Sequence, residues 1–409
     1  MRQTIGIAAL FALAACGMNG TDGDDGAQDS AATTPAAPSN NLADSMASHD
    51  GTNQSSQDVP DIPDAEQRPM MQAQVVLDRQ GFGPGVVDGK MGLSTENALN
   101  AFQRANKLDE TGKLDQPTRQ ALSQWQSIPA TRVVRIPANW GDTTYQPIPD
   151  KPSAQAEMQR LGYTSLDERL AERFHTTVDT LKALNPGGQP AGSKGAAAGP
   201  SVSPSATASP SPTPTATSST STDAAEKTSS VFRAGQLVRV PNIGADRIAP
   251  GAIKDADWQR TLTSLGVGSE QPHLARIVVS KSKDTLLGYD DDGNLRVAFT
   301  VTSGSSHDPL PLGDWKINGI SHNPKFSFDP SLFWDVPDDE AEHRLPPGPN
   351  GPVGVVWIDL SKEHYGIHGT SEPETIGRAQ SHGCVRLTNW DAARLSEMVD
   401  QKTKVEFVA

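Results

Sequence analysis

Apolar positions along the chain follow two different rhythms. Between Gln72 and Arg79, Val75, Val76 and Leu77 sit among polar neighbours, which predicts an amphipathic helix ending near Gly81. A turn-rich run, Val87-Asp88-Gly89-Lys90-Met91-Gly92, follows. A second helix begins at Ser94 and carries Thr95, Ala98, Leu99, Phe102 and Gln103. After Leu108 and a turn at Gly112, a third begins at Thr118 and reaches Leu122. Within 153–186, Leu166, Leu170, Phe174, Val178, Leu181 and Leu184 keep helical spacing until Asn185-Pro186-Gly187 closes the stretch, and Arg233–Asn242 reads as a strand ending at Pro241. From Ala275 onward the pattern is that of strands: Ile277–Val279, Leu286–Tyr289, a turn at Asp290–Asn294, then Leu295–Val301. Gly304, Pro309, Pro311 and Gly313 mark a loop, Trp315–Ile317 and Val355–Leu360 are further strands, and only Asp391–Val399 looks helical. The expected architecture is multidomain: small helical units first, then a mostly β domain.

Composition adds the segments that do not fold. The chain has 409 residues, enough for two or three domains, but only 35% are hydrophobic and 5% aromatic. Folded cores are possible at that level only if part of the chain stays unfolded. Residues 16–66, rich in Asp, Ser, Ala, Gly, Thr and Pro, predict a flexible tether, and 187–230 predict a disordered insert. Residues 1–15 join a short basic start to an apolar run too short to span a bilayer, the pattern of a signal peptide. The formal net charge of −14 argues against nucleic acid as a partner and is otherwise consistent with plain solubility.

Two cysteines, Cys16 and Cys384, lie at opposite ends of the chain, an arrangement unlike a disulfide scaffold. Around Cys384 runs Ile367-His368-Gly369-Thr370, then Ser381-His382-Gly383-Cys384-Val385-Arg386-Leu387. A thiol with a pKa near ~8.5 is only slightly ionised at neutral pH, so a nucleophilic cysteine needs a base, and the base needs a group that orients it. Two histidines beside one cysteine supply those parts. Gly383 lets backbone approach a substrate closely, so that neighbouring N–H groups could stabilise an oxyanion. The same histidines and cysteine could instead hold zinc, with His364 in reserve, but no second cysteine or familiar ligand spacing accompanies them. Acyl transfer on a thiol calls for neither metal nor cofactor.

Resemblances to known families sharpen these expectations. Leu13-Ala14-Ala15-Cys16 resembles the bacterial lipoprotein box, which implies cleavage before Cys16 and its lipidation. Gly17, in place of Asp, points to the outer rather than the inner membrane, and so to a periplasmic protein. Val87-Asp88-Gly89, Gly92, Thr95, Ala98, Phe102-Gln103, Leu108, Gly112 and Thr118 resemble a three-helix peptidoglycan-binding domain, assigned to 67–128. Leu170–Phe174, Leu181, Leu184-Asn185-Pro186, Gly235-Gln236 and Val240-Pro241 resemble a small α+β LysM module over 153–245, split by the insert at 187–230. This copy has Gly162–Leu166 where the family begins with a strand and Gly-Asp-Thr, so glycan binding and a purely structural role both stay open.

Residues 271–409 resemble the YkuD-type L,D-transpeptidase catalytic domain, through His368-Gly369-Thr370, Pro373, Ile376-Gly377, Ser381–Leu387, Asn323-Pro324, Leu345–Asn350 and Pro352–Gly354. The resemblance implies that Cys384 attacks a tetrapeptide stem and releases D-Ala, with His368 as base oriented by the Gly369 carbonyl. It further implies that His382 and the Gly383–Cys384 backbone shape the oxyanion site, and that Arg386 fixes the site or a substrate carboxylate. The acceptor is then a second stem, giving a 3→3 cross-link, or a free D-amino acid, an outer-membrane lipoprotein or water. The segment 322–350 is read as a lid or as a plain surface loop. Two other classes compete: a wall cysteine endopeptidase, whose familiar family places Cys before His, and a non-catalytic wall-binding lipoprotein.

Overall fold

A computed structural model describes residues 59–193, 230–244, 248–332 and 341–409. The expected signal peptide at 1–15, the lipidation site Cys16, most of the tether and most of the insert lie outside these residues.

Helices α1 (Pro69–Arg79), α2 (Leu93–Ala105) and α3 (Gln116–Leu122) enclose a core that includes Leu77, Phe82, Leu99 and Phe102. Two buried glutamines explain why the loops between them carry the residues they do. Gln74 accepts from the Gly89 N–H at 2.7 Å and donates to the Lys90 carbonyl at 3.0 Å and to Thr95 Oγ1 at 3.0 Å. Gln103 repeats the arrangement one loop later: it accepts from the Gly112 N–H at 2.9 Å and donates to the Lys113 carbonyl and Thr118 Oγ1 at 3.0 and 2.8 Å. The Gly89 and Gly112 backbones have φ of +76° and +62°, which glycine adopts without strain. Most of the polar residues that mark this stretch in the sequence are therefore spent on holding its own turns.

Strand β1 (Thr131–Arg135) is followed by helices α4 (Pro152–Ala156), α5 (Leu166–Arg173) and α6 (Val178–Leu184), and pairs antiparallel with β2 (Leu237–Pro241). Helical spacing from Leu166 to Leu184 is broken at His175, where φ is +51°. The first strand of this module thus lies upstream of the 153 boundary expected from sequence, because the partner of β2 precedes α4. The boundaries of the low-complexity segments shift as well. Buried Arg239 needs acceptors and takes the carbonyls of Ile62 at 2.7 Å and Ala191 at 2.7 Å. Asp167 accepts from the N–H groups of Val231 and Phe232 at 2.8 and 3.1 Å. Residues 59–66, assigned to the tether, and 187–193 and 230, assigned to the insert, are therefore tied to the module.

The β domain begins earlier than 271. Helix α7 (Ala256–Leu265) is capped by Asp255 and ended by Gly266 at φ +73°, and it buries Trp258, Leu262 and Leu265 in the β core. Full burial of such side chains stabilises by roughly 1.5–3 kcal/mol each. Strands β3 (Arg276–Ser280), β4 (Thr285–Tyr289), β5 (Leu295–Thr300), β6 (Thr302–Ser303) and β7 (Gly313–His322) follow. A short pair, β8 (Phe326–Phe328) and β9 (His343–Leu345), occupies the expected lid segment, whose residues 333–340 are not described. Then come β10 (Val356–Leu360), β11 (Gly366–His368), β12 (Val385–Arg386), helix α8 (Asn389–Met398) and β13 (Lys404–Val408). The large sheet has nine strands in the order β5-β4-β3-β13-β7-β10-β11-β12-β6. β7 pairs with β13 through its first half and β10 through its second, while β5 and β6, at opposite ends of the order, are separated by Val301 alone. The sheet therefore curls around its core. At β5, Gly83 N donates to the Ala298 carbonyl at 2.8 Å and Ala298 N to the Gly81 carbonyl at 3.1 Å, so the helical unit extends the sheet.

All three units meet at one buried point. Asp78 of α1 takes a two-pronged pair from Arg394 of α8, at 3.0 and 3.1 Å, and lies 3.2 Å from Nδ1 of His175, between α5 and α6. Asp78 and His175 side chains are 0% exposed and Arg394 4%. His175 stacks on Trp390 at 4.7 Å, and its Nε2 lies 3.3 Å from the Leu265 carbonyl. Burial resists the charge on Asp78, but Arg394 and His175 outweigh it and hold the carboxyl well below the usual range.

Two predictions follow from these contacts. Arg394→Met takes the guanidinium from buried Asp78 and leaves it the His175 ring, and a denaturant titration should show a loss of about 3–5 kcal/mol. Gln103→Leu should cost about 1–3 kcal/mol by orphaning the Gly112 N–H, read as a lower midpoint in thermal melting. An unchanged midpoint would mean that the loop holds without its glutamine.

Candidate active site

β11 and β12 run parallel, with Ile367 beside Val385 and His368 beside Arg386. Neighbours across a ladder share a face, and residues two apart on a strand share a face. His368 and Arg386 therefore point to the same side. Cys384 lies in the bend just before β12, two residues ahead of Arg386, whose charge acts on both the thiol and the His368 ring. The thiol lies 3.6 Å from the His364 carbonyl. Trp357 of β10, paired with His368, stacks on its ring at 5.5 Å and covers Gly366, where a Cβ would strike the indole.

The turn into β12 is held from two sides. Gly383 has φ +93°, and a side chain there would collide with the Tyr365 ring. Ser381 Oγ donates to the Cys384 carbonyl at 2.7 Å and accepts from the Gly304 N–H at 2.6 Å, tying the turn to the residue after β6. His382 sits in this turn, half-buried. Arg386 reaches toward the Gln380 carbonyl at 3.5 Å.

The protonation states follow from the surroundings. His368 is 4% exposed, and its Nδ1 lies 2.7 Å from the Gly369 carbonyl. A carbonyl only accepts, so Nδ1 carries the proton and Nε2 presents a lone pair. Burial, with the Arg386 charge added, pushes the imidazole down to about 4, against the pull of the Gly369 carbonyl. Burial also pushes the Cys384 thiol up, opposed by the Gly366 backbone and by Arg386. At neutral pH His368 is thus a neutral imidazole and Cys384 a thiol.

Of the residues expected from sequence to act together, His368 and Arg386 share one face, Cys384 lies with His382 and Gly383 in the bend before β12, and Gly369 follows β11. Sequence reasoning did not reach Trp357, Tyr365 or Asn389. Trp357 reads as an ordinary strand position and Tyr365 has no telling spacing; only the tight glycines at 366 and 383 hint that something bulky lies over each. Asn389 precedes the helix as it was read, yet its amide fills the space behind Gly369.

Residues 275–407 match the family model YkuD, "L,D-transpeptidase catalytic domain", and residues 67–122 match "Putative peptidoglycan binding domain". The chain carries a β-rich L,D-transpeptidase catalytic domain, an enzyme domain, and an N-terminal helical peptidoglycan-binding domain. It is 51% identical over 59 residues to "Putative L,D-transpeptidase YkuD" of Bacillus licheniformis, a match covering 14% of this chain and 36% of the relative. A "Putative L,D-transpeptidase in ATP synthase subunits region ORF 5" from Fuscovulum blasticum is 27% identical over 182 residues, covering 43% and 90%. The first of these relatives is therefore spanned over about a third of its length. Among solved structures, the catalytic domain of the Enterococcus faecium L,D-transpeptidase aligns with TM-score 0.25 and 21% identity, covering 32% of this chain and 95% of that one. The L,D-transpeptidase from Mycobacterium smegmatis aligns with TM-score 0.28 and 20% identity, covering 33% and 58%.

The charge states can be read directly. Iodoacetamide labelling of Cys384, followed on its own peptide by mass spectrometry, should climb steadily with pH past the ordinary thiol range. A plateau at about pH 6–7 would mean a preformed thiolate–imidazolium pair and would overturn this assignment.

Proposed function

We propose that the protein is a peptidoglycan L,D-transpeptidase with Cys384 as nucleophile. The observation that carries this reading is His368, its lone pair freed by the Gly369 carbonyl, on the strand beside Arg386, with Cys384 in the bend two residues ahead of that arginine. Sγ attacks the carbonyl between the diamino acid of a tetrapeptide stem and its terminal D-Ala. Nε2 of His368 takes the thiol proton as the C–S bond forms. That proton passes to the departing amine as the C–N bond breaks, leaving a thioester and free D-Ala. A side-chain amine on a second stem then attacks the thioester, its proton passing through His368 back to sulfur. The product is a 3→3 cross-link, or an attached protein if the amine belongs to a lipoprotein. The backbone at Gly383–Cys384 with His382 receives the oxyanion, and Arg386 holds the site or a substrate carboxylate.

The location fits that chemistry. A lipid anchor at Cys16 on the periplasmic side, most readily at the outer membrane, with the tether beyond it, would let the catalytic domain reach the wall. The helical domain and the β1–α5–α6–β2 module, read as LysM-like, would meet the glycan and its stems.

The test is incubation of the chain with purified disaccharide-tetrapeptide, with Cys384→Ala alongside. Mass spectrometry should show a dimer lacking one D-Ala, absent with the variant. D-Ala release without a dimer would indicate water as acceptor, and no product would sink the enzyme reading for this substrate. In the acidic range, kcat/KM should hold down to about pH 5 and fall as His368 protonates toward about 4.

A further inference from the structure

We propose that Glu172, on α5 of the β1–β2 module, is a positioning residue for His368 and acts through Asn389. The inference rests on the reading of His368 as the base.

Asn389, the first residue of α8, is fully buried. Its side chain fills the space beside Gly354 and Gly369, and a Cβ at either glycine would collide with its Oδ1. The amide has one orientation. Oδ1 accepts from the Val355 N–H at 3.2 Å, while Nδ2 donates to the Pro349 carbonyl at 3.1 Å and to Glu172 Oε1 at 2.7 Å. Gly369, against which this amide packs, supplies the carbonyl that holds Nδ1 of His368. Four groups thus run in contact from the accessory module to the base: Glu172, Asn389, Gly369, His368.

Glu172 is 8% exposed, with the Tyr163 hydroxyl near it; Oε1 takes the Asn389 amide, and Oε2 is buried without a hydrogen-bond partner among the described residues. The segment around it is threaded onto the catalytic domain: Leu161 N donates to the Pro347 carbonyl at 3.0 Å and Asn350 N to the Leu161 carbonyl at 3.0 Å. Asn350 Nδ2 also donates to Glu168 Oε1 at 2.7 Å. Gly348, at φ +155°, lies so close to the Leu161 backbone that no side chain fits. The β domain supplies two of the groups that hold Asn389, the Val355 N–H and the Pro349 carbonyl; the third and shortest contact, Glu172, comes from another module, so the full set that fixes the amide behind the base is complete only when that module is docked. The module then acts in catalysis, whatever it does for wall binding.

The test compares Glu172→Leu and Glu172→Gln in the full chain. Gln keeps an oxygen acceptor for Asn389 Nδ2; Leu keeps the volume and removes the acceptor. With disaccharide-tetrapeptide, Glu172→Leu should lower kcat tenfold or more with KM within twofold, and Glu172→Gln should restore kcat to within threefold of wild type. Nitrogen-15 NMR of the histidine rings should show His368 fixed with the proton on Nδ1 in wild type and Glu172→Gln, and exchanging between tautomers in Glu172→Leu. If Glu172→Leu does not fold, Glu172→Ala carries the same comparison. A leucine variant with wild-type kcat and tautomer would overturn the inference. So would equal losses in both variants with the tautomer unchanged, since Glu172 would then serve docking alone. If the wild-type chain fails to turn over the muropeptide, the proposed function falls, while the tautomer comparison still decides the role of Glu172.

Discussion

The buried pair between Asp78 and Arg394 is the constraint around which the three units are arranged. An ionised carboxylate out of water is tolerable only with full compensation, and each source of that compensation belongs to a different part of the chain. The guanidinium comes from α8, the imidazole from the turn between α5 and α6, and the carboxylate from α1. Removing the helical unit or the β domain leaves one charge of the pair without its ionic partner, and removing the middle module takes away the imidazole that Asp78 faces. Glu172 on Asn389 and Leu161 on the 347–350 loop tighten the same arrangement closer to the thiol. The described domains are therefore not separate bodies on a string.

Much of this architecture was legible in the sequence, and the failures have physical causes. Strands β3, β4, β5 and β10 show as continuous or alternating apolar runs because one or both faces meet the core. α7 was missed although its signals are ordinary: Trp258, Leu262 and Leu265 at helical spacing, Asp255 before them and Gly266 after. It lies between two stronger patterns, and the recognisable part of the β domain begins only after it. β1 was missed because its partner lies about a hundred residues downstream, beyond any local pattern. At the candidate site, Cys384, His368 and Arg386 could be picked out from one short span, since β11, β12 and the turn between them are close in sequence. Trp357, Tyr365 and Asn389 could not, because each reaches the site across the sheet or from behind it.

The electrostatics of the site are those of restraint. Burial lowers the imidazole and raises the thiol, and Arg386 opposes the second shift while adding to the first. Neither group is charged at rest. In the proposed mechanism charge is created only when a carbonyl carbon arrives to accept the sulfur, and a thiol neutral at rest is less open to oxidants and stray electrophiles.

The bridge of residues 81–83 onto β5 has a further consequence. A curled sheet whose first and last strands are one continuous run still has an outer edge at β5, with unpaired amides and the apolar Leu295 and Ala298 beside it. In the intact chain Gly81 and Gly83 take two of those backbone groups, and Phe82 covers the neighbouring side chains. A catalytic domain cut away from the helical unit would display that edge as a template for strand addition. The N-terminal unit therefore acts as an edge guard, keeping copies of this protein from pairing sheet to sheet.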